Sequence, residues 1–203
     1  MNDERFTGTI GIIGAGAKGR QIAAYAVVGR CRVILDDVSE SRLAEAKSYI
    51  TAALGSEGDM LANCFTTQSI NDASRADDFL IDAAPDDMES QLEIFTIFDK
   101  FSKPGAVLAS TAESIPIADL AEMTNCPERC VGLQFAGVPS PPASQSAGAL
   151  LGLHGRAMRI VRAPQTSERT IEICDRLART LGFRPVIVSE AERAAAGREG
   201  ETR

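Results

Sequence analysis

The residues with the clearest chemical potential stand near the amino terminus. Gly14-Ala15-Gly16-Ala17-Lys18-Gly19 follows the apolar run Thr9-Ile10-Gly11-Ile12-Ile13 and leads into a stretch of helical period through Ile22, Ala23, Ala26 and Val27. A strand, a glycine-rich turn and a helix in that order make an anion cradle. Gly14 forms the tight turn, Gly16 lets the backbone approach a pyrophosphate, and Gly19 lets the helix pack close to the strand while its free N–H groups face the charge. Ala15, Ala17 and Lys18 complete the turn, and Lys18 either adds charge near the phosphates or lies in solvent. Asp37 answers the turn from the end of Val33-Ile34-Leu35-Asp36, eighteen residues after Gly19. A carboxylate there accepts hydrogen bonds from an adenosine ribose and repels a 2′-phosphate, which favours NAD over NADP. Asp36 is the rival for that role, although strand alternation turns it to the other face.

Other chemically capable residues are sparse. The single histidine, His154, lies in the irregular stretch Pro139 to Gly155 and reads as a solvated loop residue, with a relocated base as the rival reading. Glu113, next to Ser114, is either an exposed turn carboxylate or a base for a substrate near a nicotinamide. Asp86, Asp87 and Glu89 resemble a metal cluster, but a solvated helix N-terminus uses acids equally well. Five scattered cysteines lack the paired CxxC spacings of a zinc site.

Such a turn works only on a scaffold that holds it rigidly. With 203 residues and 44% hydrophobic composition the chain can bury one substantial core. Short apolar runs at 9–13, 32–36, 78–83, 106–110, 130–135, 158–162 and 185–189 alternate with stretches of helical period. This predicts a doubly wound α/β domain with a mostly parallel, Rossmann-type sheet and helices on both faces. Leu43, Ala46, Ile50 and Leu54 make one apolar helix face, and Ile171, Cys174, Ala178 and Leu181 another. Ser39 and Ser167 are placed as N-caps, and Gly182 as a helix stop. The expected division is a dinucleotide-binding domain over 1–189 and a polar, frayed or weakly helical tail over 190–203. A net charge of −7, with no basic cluster interleaved with aromatics, argues against nucleic acid and anionic membrane as partners. No apolar run reaches the roughly 20 residues of a membrane span, so the chain reads as cytoplasmic.

Taken in order, these segments resemble the NAD-binding domain of the 3-hydroxyacyl-CoA dehydrogenases over nearly all of residues 8–189. The phrases that carry the likeness are Ile10 to Gly19, Leu35-Asp36-Asp37-Val38-Ser39, Phe79 to Asp87, Ala109 to Ser114, Pro127 to Phe135 and Ala163 to Ser167. The resemblance implies an oxidoreductase family of fatty acid metabolism, a sheet of about eight strands, and NAD at the carboxyl ends of the first ones. It also implies a helical domain that follows the sheet, closes the substrate cleft and builds a dimer, whereas this chain ends soon after Val188.

The positions that carry the family's chemistry hold other residues. The histidine general base falls on Gln134 and the asparagine-proline after it on Gly137-Val138, and neither replacement takes a proton at neutral pH. The glutamate that orients the histidine falls near Arg159, a cation that reverses the electrostatics which stabilise an imidazolium. The serine beside the substrate carbonyl falls on Glu113 and the preceding asparagine on Thr111. The cofactor-side acid is kept as Asp86, whereas its lysine partner falls on Gln91. The expectation is an NAD(H)-binding domain that lacks the usual hydroxyacyl-CoA chemistry on its own. The alternative is an active oxidoreductase that uses another substrate or a partner subunit supplying the helical domain. Expected partners are the dinucleotide, a small-molecule or acyl-CoA substrate, and a second copy or partner subunit. Apolar surface near Phe135, Val138 and the following loop would serve such an interface.

Overall fold

A computed structural model describes residues 5–76, 78–135 and 155–200. His154, Gly137, Val138 and most of the Pro139 to Gly155 stretch lie outside the described residues. The strands are β1 (Thr9–Ile13), β2 (Arg32–Asp36), β3 (Cys64–Thr67), β4 (Phe79–Asp82), β5 (Val107–Ser110), β6 (Cys130–Phe135), β7 (Ala157–Arg162) and β8 (Arg184–Ser189). The helices are α1 (Ala17–Val28), α2 (Glu40–Leu54), α3 (Ile70–Ala73), α4 (Met88–Phe101), α5 (Ile117–Ala121), α6 (Glu168–Thr180) and α7 (Glu190–Gly200). They form one sheet in the order β3-β2-β1-β4-β5-β6-β7-β8. β1 to β6 are mutually parallel, β7 is antiparallel to β6, and β8 is parallel to β7.

Helical crossovers lie on both faces, so the central strands are buried on both sides and read as continuous apolar runs. On one face Ile10, Ile12, Val33, Leu35 and Ile81 meet α1, α2 and α6. On the other, Leu80, Leu108 and Val161 meet α4 and α5 through Phe95, Phe98, Ile117 and Leu120. The expected caps are present. Ser39 accepts the N–H of Arg42 and Ser167 that of Thr170, while Gly182 stops α6 with φ +84°. The apolar faces Leu43, Ala46, Ile50, Leu54 and Ile171, Cys174, Ala178, Leu181 are buried as expected. All five cysteines are buried free thiols.

β3 goes beyond the strands that the sequence predicts, and the tail read as frayed or weakly helical is helical over Glu190–Gly200. β3 extends the sheet beside β2, pairing Val33 with Cys64 and Asp36 with Thr67. It is a short edge strand whose Phe65 is 46% exposed, so it shows no apolar run. After β8 the chain turns at once into α7. Ser189 Oγ accepts the N–H of Glu192 while the Glu192 carboxylate accepts the N–H and hydroxyl of Ser189, a reciprocal cap that starts the helix.

Phe183, at the α6–β8 junction, packs edge-on against Tyr25 of α1 at 4.9 Å and Phe135 of β6 at 5.4 Å. It therefore ties the antiparallel end of the sheet to the first helix. Phe183→Ala should destabilise the domain by roughly 3–5 kcal/mol. Thermal unfolding checks this, and a midpoint within a degree of the parent would show that the contact carries no such weight.

Candidate functional site

The strand order reverses between β1 and β4, and the crevice above their carboxyl ends is where open α/β sheets take ligands. The glycine turn lies there because only glycine fits. Gly14 has φ +98°, and a Cβ on it would press on the Ala83 carbonyl at 2.9 Å. A Cβ on Gly19 would collide with the Gly14 carbonyl oxygen, whereas one on Gly16 would meet nothing within 4 Å. Gly16 thus borders open space on the side from which a pyrophosphate would approach, and the turn fits a dinucleotide. The Gly14 N–H bonds the Asp36 carbonyl at 2.8 Å, fastening the turn to the end of β2.

Asp37 is 5% exposed, and both of its oxygens are engaged. Oδ2 accepts the N–H of Ala15 at 2.9 Å, and Oδ1 accepts that of Ser39 at 2.9 Å. Its carboxylate therefore braces the turn. The Arg42 guanidinium approaches Oδ2 at 3.8 Å. Asp36 is buried on the face of Ile13, its Oδ1 without a hydrogen-bond partner.

The Lys18 side chain is 40% exposed and reaches the loops after β4 and β5. Its ammonium donates to the Thr111 carbonyl at 3.1 Å and lies 3.3 Å from Glu113 and 3.8 Å from Asp86. Asp86 in turn accepts the N–H groups of Glu113 at 2.8 Å and Ser114 at 3.3 Å. The loops after β4 and β5 and the first turn of α1 are thus joined by one cation and two carboxylates. Their exposure keeps the ion pairs weak, so their effect is to orient rather than to stabilise. Asp87 caps α4 through the N–H of Ser90, which accounts for it without a metal. Gln91 is fully buried, accepting from Ser110 Oγ at 3.1 Å and donating to the Pro85 carbonyl.

Gln134 and Arg159 are direct cross-strand partners in the antiparallel β6–β7 pair, so their side chains share one face. Both are half-buried. Gln134 also lines a cavity of about 170 Å³ with Lys18, Gln21, Tyr25, Thr111 and Glu113. The Thr111 hydroxyl there is buried and has no hydrogen-bond partner. Sequence reasoning singled out Thr111 only by its place in the resemblance and passed over Gln21 and Tyr25, which lie on a helix whose pattern reads as core. The structure brings Gly14 to Gly19, Asp37, Asp86, Glu113 and Gln134 to one edge of the sheet.

The family described as 3-hydroxyacyl-CoA dehydrogenase, NAD binding domain, matches residues 9–191. Hydroxyacyl-coenzyme A dehydrogenase of Sus scrofa mitochondria is 27% identical, with 86% of this chain and 57% of the relative covered. The 3-hydroxybutyryl-CoA dehydrogenase of Bradyrhizobium diazoefficiens is 29% identical, with 89% and 60% covered. The chain therefore spans about three fifths of the length of these relatives. Among solved structures, FadB2 of M. tuberculosis superposes with a TM-score of 0.77 at 24% identity, over 92% of this chain and 65% of that one, a likeness of fold. Among the described residues no helix is long and apolar enough to cross a membrane.

Two buried carboxyls at the crevice have unusual titration. Burial pushes Asp82 up to about 7, with the Asp86 charge adding and the Ala84 N–H and Lys18 opposing. Burial, then the charges of Asp37 and Asp72, pushes Asp36 up to about 6. Because both are raised above their unfolded values, the native state holds more protons than the unfolded one across this interval. Stability is therefore lost as pH rises from about 4 through 7 and is flat above. Asp82→Asn keeps the oxygen that accepts the Ala84 N–H and removes the charge. Its unfolding free energy at pH 8 should exceed the parent's by an amount on the order of 2–4 kcal/mol, with the difference vanishing near pH 4. Denaturant melts across that range check it, and an equal pH slope in both proteins would contradict it.

Proposed function

The chain belongs to the family of 3-hydroxyacyl-CoA dehydrogenase NAD-binding domains, and from that membership we propose that it is a cytoplasmic domain which holds NAD(H) at the Gly14–Gly19 turn without itself interconverting hydroxyacyl and ketoacyl thioesters. The observation that carries the second half is the Gln134–Arg159 pair. Oxidation of a secondary alcohol needs a group that accepts the hydroxyl proton as hydride departs, and an amide beside a guanidinium offers none at neutral pH. The cross-strand register supports reading these two residues as the counterparts of the family's base and its orienting acid.

The N–H groups of the α1 N-terminus would hold the diphosphate, Asp37 the adenosine ribose, and the Asp86–Lys18–Glu113 bridge would set the loop beside the nicotinamide. The cofactor would supply hydride transfer, and this chain's residues bind and orient it. One observation favours a second reading. Glu113 faces the 170 Å³ cavity with Lys18 at 3.3 Å, so a carboxylate is placed to take a proton from a different substrate, with a partner subunit completing the cleft.

Calorimetric titration should show NADH binding tighter than NADPH, with Asp37→Ala weakening NADH and narrowing the difference; equal or tighter NADPH binding would make Arg42 a phosphate partner and remove the preference. Turnover of acetoacetyl-CoA with NADH should fall below that of ordinary relatives by roughly 10²- to 10⁴-fold, the usual effect of losing a positioned acid–base group. Gln134→His alone should not restore it, because Arg159 opposes an imidazolium. Ordinary turnover that is unchanged by Glu113→Ala would defeat both readings.

A further inference from the structure

We propose that Asp82, with Asp36 in the same row, makes cofactor binding proton-linked, so that affinity for the dinucleotide falls as pH rises through neutrality. The proposal rests on the reading of the glycine turn as the seat of the diphosphate. Register across the sheet puts Asp36 of β2, Ile13 of β1, Asp82 of β4 and Ser110 of β5 in one row at the carboxyl edge. The row lies on the face that packs against α4 and α5. Both acids are joined to the turn through the backbone. The Asp36 carbonyl accepts the Gly14 N–H at 2.8 Å, and a Cβ on Gly14 would press on the carbonyl of Ala83, the residue after Asp82. Ala83 is fastened in turn by its N–H to the Ile13 carbonyl at 2.8 Å.

Both carboxyls are short of partners. Asp82 is fully buried and Asp36 is 4% exposed. Asp82 Oδ1 accepts the Ala84 N–H at 2.9 Å, whereas its Oδ2 has no hydrogen-bond partner, and neither has Asp36 Oδ1. A buried carboxyl with an oxygen left unanswered is more stable with a proton on it. The neighbours do not reverse this. Around Asp82 stand the neutral Gln91 of α4, Ser110 of β5 and Thr111, with the charges of Asp86 and Lys18 opposing one another. Asp36 meets Thr67 of β3 and the like charges of Asp37 and, from α3, Asp72. Burial is the main cause that brings the titration of both acids toward neutral pH.

The N–H groups of α1 lie directly beyond Gly14 and would receive the two negative charges of a diphosphate. Ionised Asp82 and Asp36 repel those charges, whereas their protonated forms do not, so the complex holds protons more tightly than the free chain. Affinity is therefore full where both acids are protonated and declines once the free chain gives up its protons. Lys18 does not cancel the effect, since its ammonium is engaged by Glu113, Asp86 and the Thr111 carbonyl.

Calorimetric titration with NADH, and with ADP-ribose to remove any part played by the nicotinamide, tests this in buffers of differing ionisation enthalpy. From about pH 6 to about pH 8.5 the affinity for both ligands should fall about tenfold, with uptake of about half a proton per site near pH 7.5. Neither ligand titrates in that range, so the uptake reports the protein. Asp82→Asn should lose most of the pH dependence and bind at the alkaline end about as tightly as the parent does at the acid end. His154→Gln removes the single histidine and should leave the dependence and the proton count in place. Affinity that ignores pH, absence of proton uptake, a dependence that survives in folded Asp82→Asn, or one that vanishes in His154→Gln would each overturn the proposal. If Asp82→Asn does not fold, the proton count in the unaltered chain and in His154→Gln decides. Failure of NADH to bind at any pH would overturn the cofactor reading along with this one, whereas binding that ignores pH overturns this one alone.

Discussion

The close approach of the first turn of α1 to the end of β1 is the constraint on which the rest of the domain depends. Gly19 sits so near the Gly14 carbonyl that a single methyl group would force the helix away from the strand. Holding the helix there buries Ile22, Ala23, Tyr25, Ala26 and Val27 against the sheet, which fixes where α2 and α6 can pack beside it. It also brings the N–H groups of α1 to the point where the strand order reverses. The turn is pinned by its neighbours, through the Asp36 carbonyl on Gly14 and the Asp37 carboxylate on Ala15, so that packing and ligand geometry are set by the same few atoms.

The β6–β7 pair sets geometry separately from chemistry. Pairing between β6 and β7 places residues 134 and 159 face to face through backbone hydrogen bonds, whatever side chains they carry. A histidine and a glutamate at such positions would make a proton-transfer pair, whereas a glutamine and an arginine make a pair of donors. The sheet supplies the proximity and the side chains decide what is done with it, which is why likeness of fold alone does not carry function.

Much of this was legible in the sequence because it rests on local signals. The glycine turn, the serine caps, the apolar faces of two helices and the alternation of strand and helix each depend on residues close together in the chain. β3 escaped notice because four residues at a sheet edge, of which only Cys64 is buried, carry no period. α7 was legible only as a frayed or weakly helical tail, since Ser189-Glu190-Ala191-Glu192 spells a reciprocal cap but its helix is too polar to show an apolar face. The bonds of Lys18 to residues about ninety positions away, and the stranded hydroxyl of Thr111, are products of tertiary packing with no local signature.

Charge along the crevice edge is also less than the sequence suggests. Asp36, Asp37, Asp82, Asp86 and Glu113 would together repel a diphosphate if all were ionised and exposed. Burial raises Asp82 and Asp36 well above the usual carboxylate range and so disfavours their charged forms, the carboxylate of Asp37 is engaged by two N–H groups, and Lys18 stands against Asp86 and Glu113. What remains facing the open side of the turn is mainly the positive end of α1, whose pull on an anion is worth a few tenths to about one kcal/mol and falls off within a turn. An acidic protein can thus present an anion site wherever its carboxylates are buried or already paired.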